Sequence, residues 1–179
     1  MPRLILFLGV QLSGKSTLAK EIAEIKNLPL ISIDDMRLDL YGQLSGPKDW
    51  LTPELRQVHD SQTKRAYEDL FGIIKVTLGW ELSLMVEMPH LGDREDSLLS
   101  FIKETGADLK IIWCHISKDS DEEIQKRINS RPKDAAQISL EDYRMFKSKI
   151  RKSKTESLSV DTSESFEQCL NIIINYLKL

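Results

Sequence analysis

Short, almost wholly apolar runs alternate along the chain with stretches in which apolar residues recur every three or four positions. The runs of strand length are Arg3–Leu8, Leu30–Ile33, Leu82–Glu87 and Leu109–Ile116, with a weaker one at Ser157–Val160. Helical spacing covers about Lys15–Lys26, Pro53–Lys75, Arg94–Thr105, Asp121–Asn129, Leu140–Lys152 and Ser165–Leu177. Pro53 directly behind Thr52 is the sequence expected of an N-cap followed by a first helical residue. Strands that are apolar throughout must be covered on both faces, and helices between strands provide the cover. The pattern therefore predicts an α/β fold of three layers: a mostly parallel five-stranded sheet with helices on both faces, built as one domain over residues 1–179. Gly42–Trp50 and Arg131–Ser139 interrupt the pattern as loops of a length that often carries function.

Composition narrows the setting without changing that picture. A chain of 179 residues can bury a real core without a metal or disulfide staple, and a formal charge of −3 excludes a polybasic coat for nucleic acid or membrane. The two cysteines, Cys114 in an apolar run and Cys169 in a helical tail, cannot form a disulfide framework and are expected to be core thiols. The apolar run Leu4–Leu8 is too short for a signal peptide's core, and Lys75 and Glu81 break the stretch from Leu70 to Met88. A cytoplasmic protein with no membrane segment is expected.

One motif dominates the chemistry. Gly9, Val10, Gln11, Leu12, Ser13, Gly14, Lys15, Ser16 and Thr17 fit G-x-x-x-x-G-K-[ST], directly after an apolar strand and directly before a helical pattern. Successive backbone N–H groups must converge on one concavity, and Gly9 and Gly14 allow the tight path with no Cβ in the way. Lys15 would reach the outer phosphates of a nucleoside triphosphate, and the Ser16 hydroxyl would ligate Mg²⁺. ATP and Mg²⁺ are the expected cofactors.

A second signal comes after the second strand, where Asp34, Asp35 and Arg37 close the run Leu30–Ile33. Carboxyl ends of parallel strands face the ligand crevice, so Asp34 is expected to deprotonate an acceptor hydroxyl and Arg37 to hold an anionic group of that acceptor. Either carboxylate could instead be a helix N-cap, and which of the two faces the acceptor stays open. Glu87, at the end of the third strand, also points to the crevice, toward the acceptor or a metal-bound water.

Farther on, Asp121–Asn129 and the residues to Pro132 read as a helix whose last turn carries Arg127 and Arg131 on one face. Arginines closing over a transferring phosphoryl group stabilise its charge and exclude water, so a lid at roughly residues 127–139 is expected. A Glu123–Arg127 surface pair is the simpler use of the same residues. His59, His90 and His115 lack metal-ligand spacing, the run Lys147–Lys154 reads as a solvated helix face, and Val160 to Ser163 stand where an adenine could be edged.

Taken together, the phosphate loop, the strand ending in Asp-Asp-x-x-Arg and the Arg-x-x-x-Arg helix before a loop resemble the P-loop kinase group of polynucleotide 5′-kinases. Gluconate kinases and zeta-toxin-like kinases share the build, an AAA-type ATP-binding domain of the small kinase kind. The likeness runs from Arg3 to about Lys152, and Ile138 to Lys149 is similar to the segment behind the lid in phage-type polynucleotide kinases. It implies a P-loop kinase fold, with Lys15 and Ser16 at the phosphates and Mg²⁺ and Asp34 as the base. It further implies Arg37 at an acceptor phosphate, Arg127 and Arg131 in the lid, and Glu87 beside the acceptor. The group commonly has Pro-Gly-Ser-Gly where this chain has Gln11-Leu12-Ser13-Gly14. The expected activity is transfer of the γ-phosphoryl group of ATP to a hydroxyl, on a polynucleotide 5′ end or on a small metabolite of the gluconate kind. An ATP-binding regulator that performs no transfer is the alternative.

Overall fold

Five strands lie side by side in the order β2-β3-β1-β4-β5, and every neighbouring pair is parallel. They are β1 (Arg3–Leu8), β2 (Leu30–Ser32), β3 (Leu84–Met88), β4 (Asp108–His115) and β5 (Leu158–Asp161). The computed structural model describes residues 1–41, 52–131 and 138–178, so the loop Gly42–Trp50 and most of the expected lid loop lie outside the described residues. Seven helices connect the strands: α1 (Lys15–Lys26), α2 (Ile33–Tyr41), α3 (Pro53–Gly79), α4 (Glu95–Thr105), α5 (Asp121–Asn129), α6 (Leu140–Lys149) and α7 (Phe166–Leu177) among the described residues. A single 3-10 turn, Gly92–Arg94, leads into α4.

The continuous apolar strands are explained by two cores. Leu4, Leu6 and Leu8 of β1 face one way, onto Ala66, Leu70, Ile74 and Leu78 of α3 and Leu98 and Ile102 of α4. Ile5 and Phe7 face the other way, onto Leu18, Ala19 and Ile22 of α1 and Cys169, Ile173 and Leu177 of α7. This is the period-two alternation of a strand buried on both sides. A third, smaller cluster of Val10, Ile116, Ile124, Ile138 and Tyr143 joins the loop after β1 to α5 and α6.

The differences from the sequence pattern have local causes. The second strand stops at Ser32, one residue early, because the Ser32 hydroxyl accepts the Asp35 N–H (3.4 Å) and starts α2 at Ile33. This helix is absent from the helical spacing above, since its Leu38 and Leu40 are exposed and give no apolar stripe. Helix α3 runs four residues past Lys75 because Leu78 continues its buried stripe, and Glu81, at φ 60, then turns the chain into β3. The α5 helix closes before Arg131: the Ser130 N–H bonds Lys126 O, and the Arg131 N–H then reaches only three residues back to Ile128 O. Arg131 is therefore just off the helix and not in its last turn. No described helix is long and apolar enough to cross a membrane.

Candidate active site

The loop between β1 and α1 is held by backbone geometry that only some residues can adopt. Gly9 sits at φ 148, and a Cβ there would lie 2.2 Å from the Cys114 carbonyl oxygen of β4 and 2.9 Å from the Ser13 hydroxyl. The Gly9 N–H donates to Pro89 O (3.0 Å) and the Ser13 N–H to Val10 O (3.2 Å), which fixes the turn. Gly14 takes the left-handed conformation at φ 70 and opens α1. Leu12 is also left-handed, at φ 68, in the stretch where the resembling kinases commonly have glycine. That conformation costs a branched residue roughly 1–2 kcal/mol. Leu12 offsets this by packing on the third cluster.

Lys15 is buried, with its Nζ 2.7 Å from Oε1 of Glu87. Alternation along β3 explains the meeting: Glu87 shares a face with Met85, which packs against α1, and pairs in register with Phe7 of β1 and Ser32 of β2. Glu87 is only 3% exposed, so it is a buried partner of the loop lysine rather than a solvated strand end. The pair is close, but its angles are not those of a hydrogen bond. Cys114 lies near both groups, and burial, with smaller help from Cys169 and then Glu87, pushes its thiol up to about 12 against the opposing pull of Lys15. It is an inert core thiol, as the sequence suggests.

The donor set suits a triphosphate with Mg²⁺. The Ser13 hydroxyl is buried with no hydrogen-bond partner among the described residues, and Ser16 and Thr17 are exposed in the first turn of α1. The exposed Ser16 hydroxyl is a hard oxygen of the kind Mg²⁺ takes alongside phosphate oxygens and water. Among the described residues no group of three His, Cys, Asp or Glu side chains could hold a metal by itself.

Across the crevice, Asp34 and Asp35 are exposed in the first turn of α2. Ser32 makes the capping bond, so neither carboxylate is used as the N-cap. Arg37 is half-buried, and its Nη1 lies 2.6 Å from Nε2 of His59 on α3. Arginine only donates, so Nε2 is the acceptor in this contact, and Nδ1 of the same ring lies 3.4 Å from Asp60 Oδ1.

Two further residues stand here that no sequence pattern singles out. The Arg94 guanidinium lies over the Tyr67 ring, 4.8 Å from its centroid. Burial, reinforced by the Asp34 and Glu87 carboxylates and opposed by Arg94 and Arg37, pushes the Tyr67 phenol up to about 12. His90 is held below its ordinary value, first by burial and then by Arg94. Only the cation-over-aromatic contact marks Arg94 and Tyr67, and 26 intervening positions of the chain hide it from sequence.

On the opposite flank Arg127 is fully engaged. Its Nε donates to Glu123 Oε1 (2.9 Å), its Nη1 to Leu12 O (3.1 Å) and Thr162 Oγ1 (3.3 Å), and its Nη2 to Thr162 O (2.6 Å). The expected Glu123 pair exists, and the same guanidinium ties the phosphate loop to the turn after β5. Arg131 is half-buried beside it, while residues 132–137 of the expected lid lie outside the described residues. Of the run Lys147–Lys154, Lys147 is paired with Asp119, and Ser153 and Lys154, with Thr155 just behind them, donate to the buried Glu95 carboxylate.

A β-α-β sheet with this loop at its centre defines a nucleotide-binding P-loop domain, and likeness to known proteins places it more narrowly. Residues 4–152 match the family described as AAA domain, and the chain belongs to that family. Its fold is that of the small P-loop kinases. A candidate kinase from Chloroflexus aurantiacus J-10-fl superposes with a TM-score of 0.71 at 22% identity, over 99% of this chain and 97% of the other. A sugar kinase from Janibacter sp. HTCC2649 gives 0.65 at 15% identity, over 99% and 95% of the two chains. A gluconokinase from Sinorhizobium meliloti 1021 gives 0.65 at 16% identity, over 99% and 91%. A search of curated proteins returned no match.

Proposed function

We propose that the chain is an ATP-dependent kinase that moves the γ-phosphoryl group onto a hydroxyl of a small acceptor. The observation that carries this reading is the placement of an acid beside the phosphate loop's strand ends. Lys15 touches Glu87 at 2.7 Å, Glu87 pairs in register with Ser32 of the neighbouring parallel strand, and the exposed Asp34 follows two residues behind it. An exposed carboxylate thus stands at the same carboxyl end of the sheet as the phosphate-loop lysine. A nucleotide switch that performs no transfer has no use for an acid there.

In this reading the backbone of residues 9–14 cradles the phosphates and Lys15 leaves Glu87 for the outer phosphates. Ser16 would hold Mg²⁺, which supplies charge neutralisation at the phosphate oxygens when bound. Asp34 accepts the proton of the acceptor hydroxyl as that oxygen attacks, and Arg131 closes over the charge that spreads on the phosphoryl oxygens. Asp35 and Arg37 line the acceptor side. Arg127 shapes the nucleotide end through Leu12 and Thr162. The sugar kinase and gluconokinase of like fold support a small metabolite as acceptor, and a net charge of −3 gives no general attraction to a polynucleotide. The compartment is proposed to be the cytoplasm.

Radiolabelled ATP offered with a panel of small hydroxyl compounds and with 5′-hydroxyl oligonucleotides tests the proposal, wild type against Asp34→Ala. Label should pass to a small acceptor and drop at least about 100-fold in the variant. Tight ATP binding with no transfer to any acceptor would sink the kinase reading, and label passing only to oligonucleotides would restore the nucleic-acid acceptor.

A further inference from the structure

A second arginine on the acceptor side is not used by the phosphoryl transfer itself, and its setting is specific. Arg94 ends the 3-10 turn that follows β3, at the same carboxyl end of the sheet as Lys15 after β1 and Asp34 after β2. Its guanidinium lies over the Tyr67 ring, 4.8 Å from the centroid, and Tyr67 packs against the core cluster to which Ile33 and Leu91 belong. A guanidinium held over a ring by its charge keeps N–H groups to donate, and its fork matches planar oxyanions two-pronged. Among the described residues, no carboxylate pairs with Arg94 or with Arg37. Arg37 is steadied by His59, with its Nη1 2.6 Å from Nε2, rather than by a carboxylate. The Tyr67 phenol feels both guanidiniums as well as the Asp34 carboxylate.

We propose that Arg94 and Tyr67, together with Arg37, form an acceptor subsite for an oxyanion, a carboxylate or phosphate carried by the same small molecule whose hydroxyl is phosphorylated. This rests on the kinase reading for the hydroxyl but not for the anion. The Arg94 fork binds two oxygens of the anion, and the Tyr67 phenol, kept protonated, donates a third bond. Arg37 meets the anion from α2, and His59 is a positioning residue that sets the direction of Arg37. A neutral polyol would leave both guanidiniums desolvated and unpaired, so the subsite selects against it as well as for the anion.

Matched pairs of acceptors test this: D-gluconate against D-glucitol, D-glycerate against glycerol, and D-ribose 5-phosphate against D-ribose. In ADP-release assays at least one anion should exceed its neutral partner at least about 100-fold in kcat/KM. Arg94→Gln should raise the KM for that anion by roughly 30-fold or more, with the KM for ATP unchanged. Arg94→Lys, which keeps charge without the fork, should recover only part of the loss. His59→Gln, which can still accept from Arg37, should behave like wild type where His59→Ala does not. Neutral partners used as well as the anions, or an acceptor KM untouched by Arg94→Gln, would overturn the subsite. Preference for a 5′-hydroxyl oligonucleotide over every small anion would overturn it too. The same pairs are also scored by thermal shift on protein saturated with a non-hydrolysable ATP analogue. There, stabilisation by an anion that Arg94→Gln removes supports the subsite even if no transfer occurs and the kinase reading fails. No stabilisation by any of the anions, with no transfer, overturns both.

Discussion

The two walls of the crevice are made in opposite ways. The donor wall is nine consecutive residues, Gly9 to Thr17, whose conformation is fixed by backbone hydrogen bonds and by the absence of room for a side chain at Gly9. The proposed acceptor wall is drawn from Asp34 and Arg37 on α2, His59 and Tyr67 on α3, and Arg94 before α4, a set spread over three separate stretches of the chain. Backbone geometry must be specified residue by residue in a row, so the donor wall tolerates little change. Side chains brought together by folding can be exchanged singly, so the acceptor wall is where specificity can vary on an unchanged fold.

That contrast can be broken at several points. Lys15→Ala should cost about 4 kcal/mol of stability by chemical denaturation, because it leaves the Glu87 carboxylate buried without its partner. It should also abolish stabilisation by ATP. Adding Glu87→Gln to a Lys15→Met variant should return much of the stability and none of the nucleotide binding; a single variant as stable as wild type would mean the pair is not buried in solution. Gly9→Ala should cost about 3 kcal/mol, since the Cys114 carbonyl is backbone and cannot step aside. Asp34→Asn, on the exposed acceptor wall, should leave stability within about 0.5 kcal/mol of wild type while transfer falls at least about 100-fold. Unchanged transfer would remove Asp34 as the base. Arg127→Gln should weaken ATP about tenfold by freeing the Leu12 carbonyl and Thr162, read by titration with a non-hydrolysable analogue.

The smallest effect concerns pH. Burial pushes the Asp161 carboxyl up, but hydrogen bonds from Ser117 and Ser163 outweigh it and hold the group well below its usual range. A carboxyl whose folded value is depressed stabilises the fold above its unfolded value, about 4, and that stabilisation fades as pH falls further. Wild type should therefore lose about 1 kcal/mol more than Asp161→Ala between pH 5 and pH 2, with the turn carrying Thr162 the first to loosen. Parallel loss in the two proteins would remove Asp161 from the acid response.

Legibility in the sequence obeys the same division. The strands and the donor loop were readable because each is a local pattern: an apolar run, a glycine spacing, a lysine in place. The helix α2 was not, because two of its apolar residues are exposed and its start depends on a serine cap at a position that reads as strand. Glu87 was seen as a crevice acid, but its partner could not be, since β1 and β3 become neighbours only through the sheet order. Arg94 and Tyr67 carry no periodic signal at all. Their meeting is a product of α3 and the segment after β3 packing on one core.

The left-handed Leu12 has a consequence for motion. Its side chain packs against the third cluster, which also holds Ile124 of α5 and Tyr143 of α6, while its carbonyl accepts from Arg127. The loop and the α5–α6 pair therefore cannot loosen independently. Amide hydrogens of the loop and those around Tyr143, 131 positions apart along the chain, should exchange with solvent through one shared opening, and a nucleotide that slows the first should slow the second.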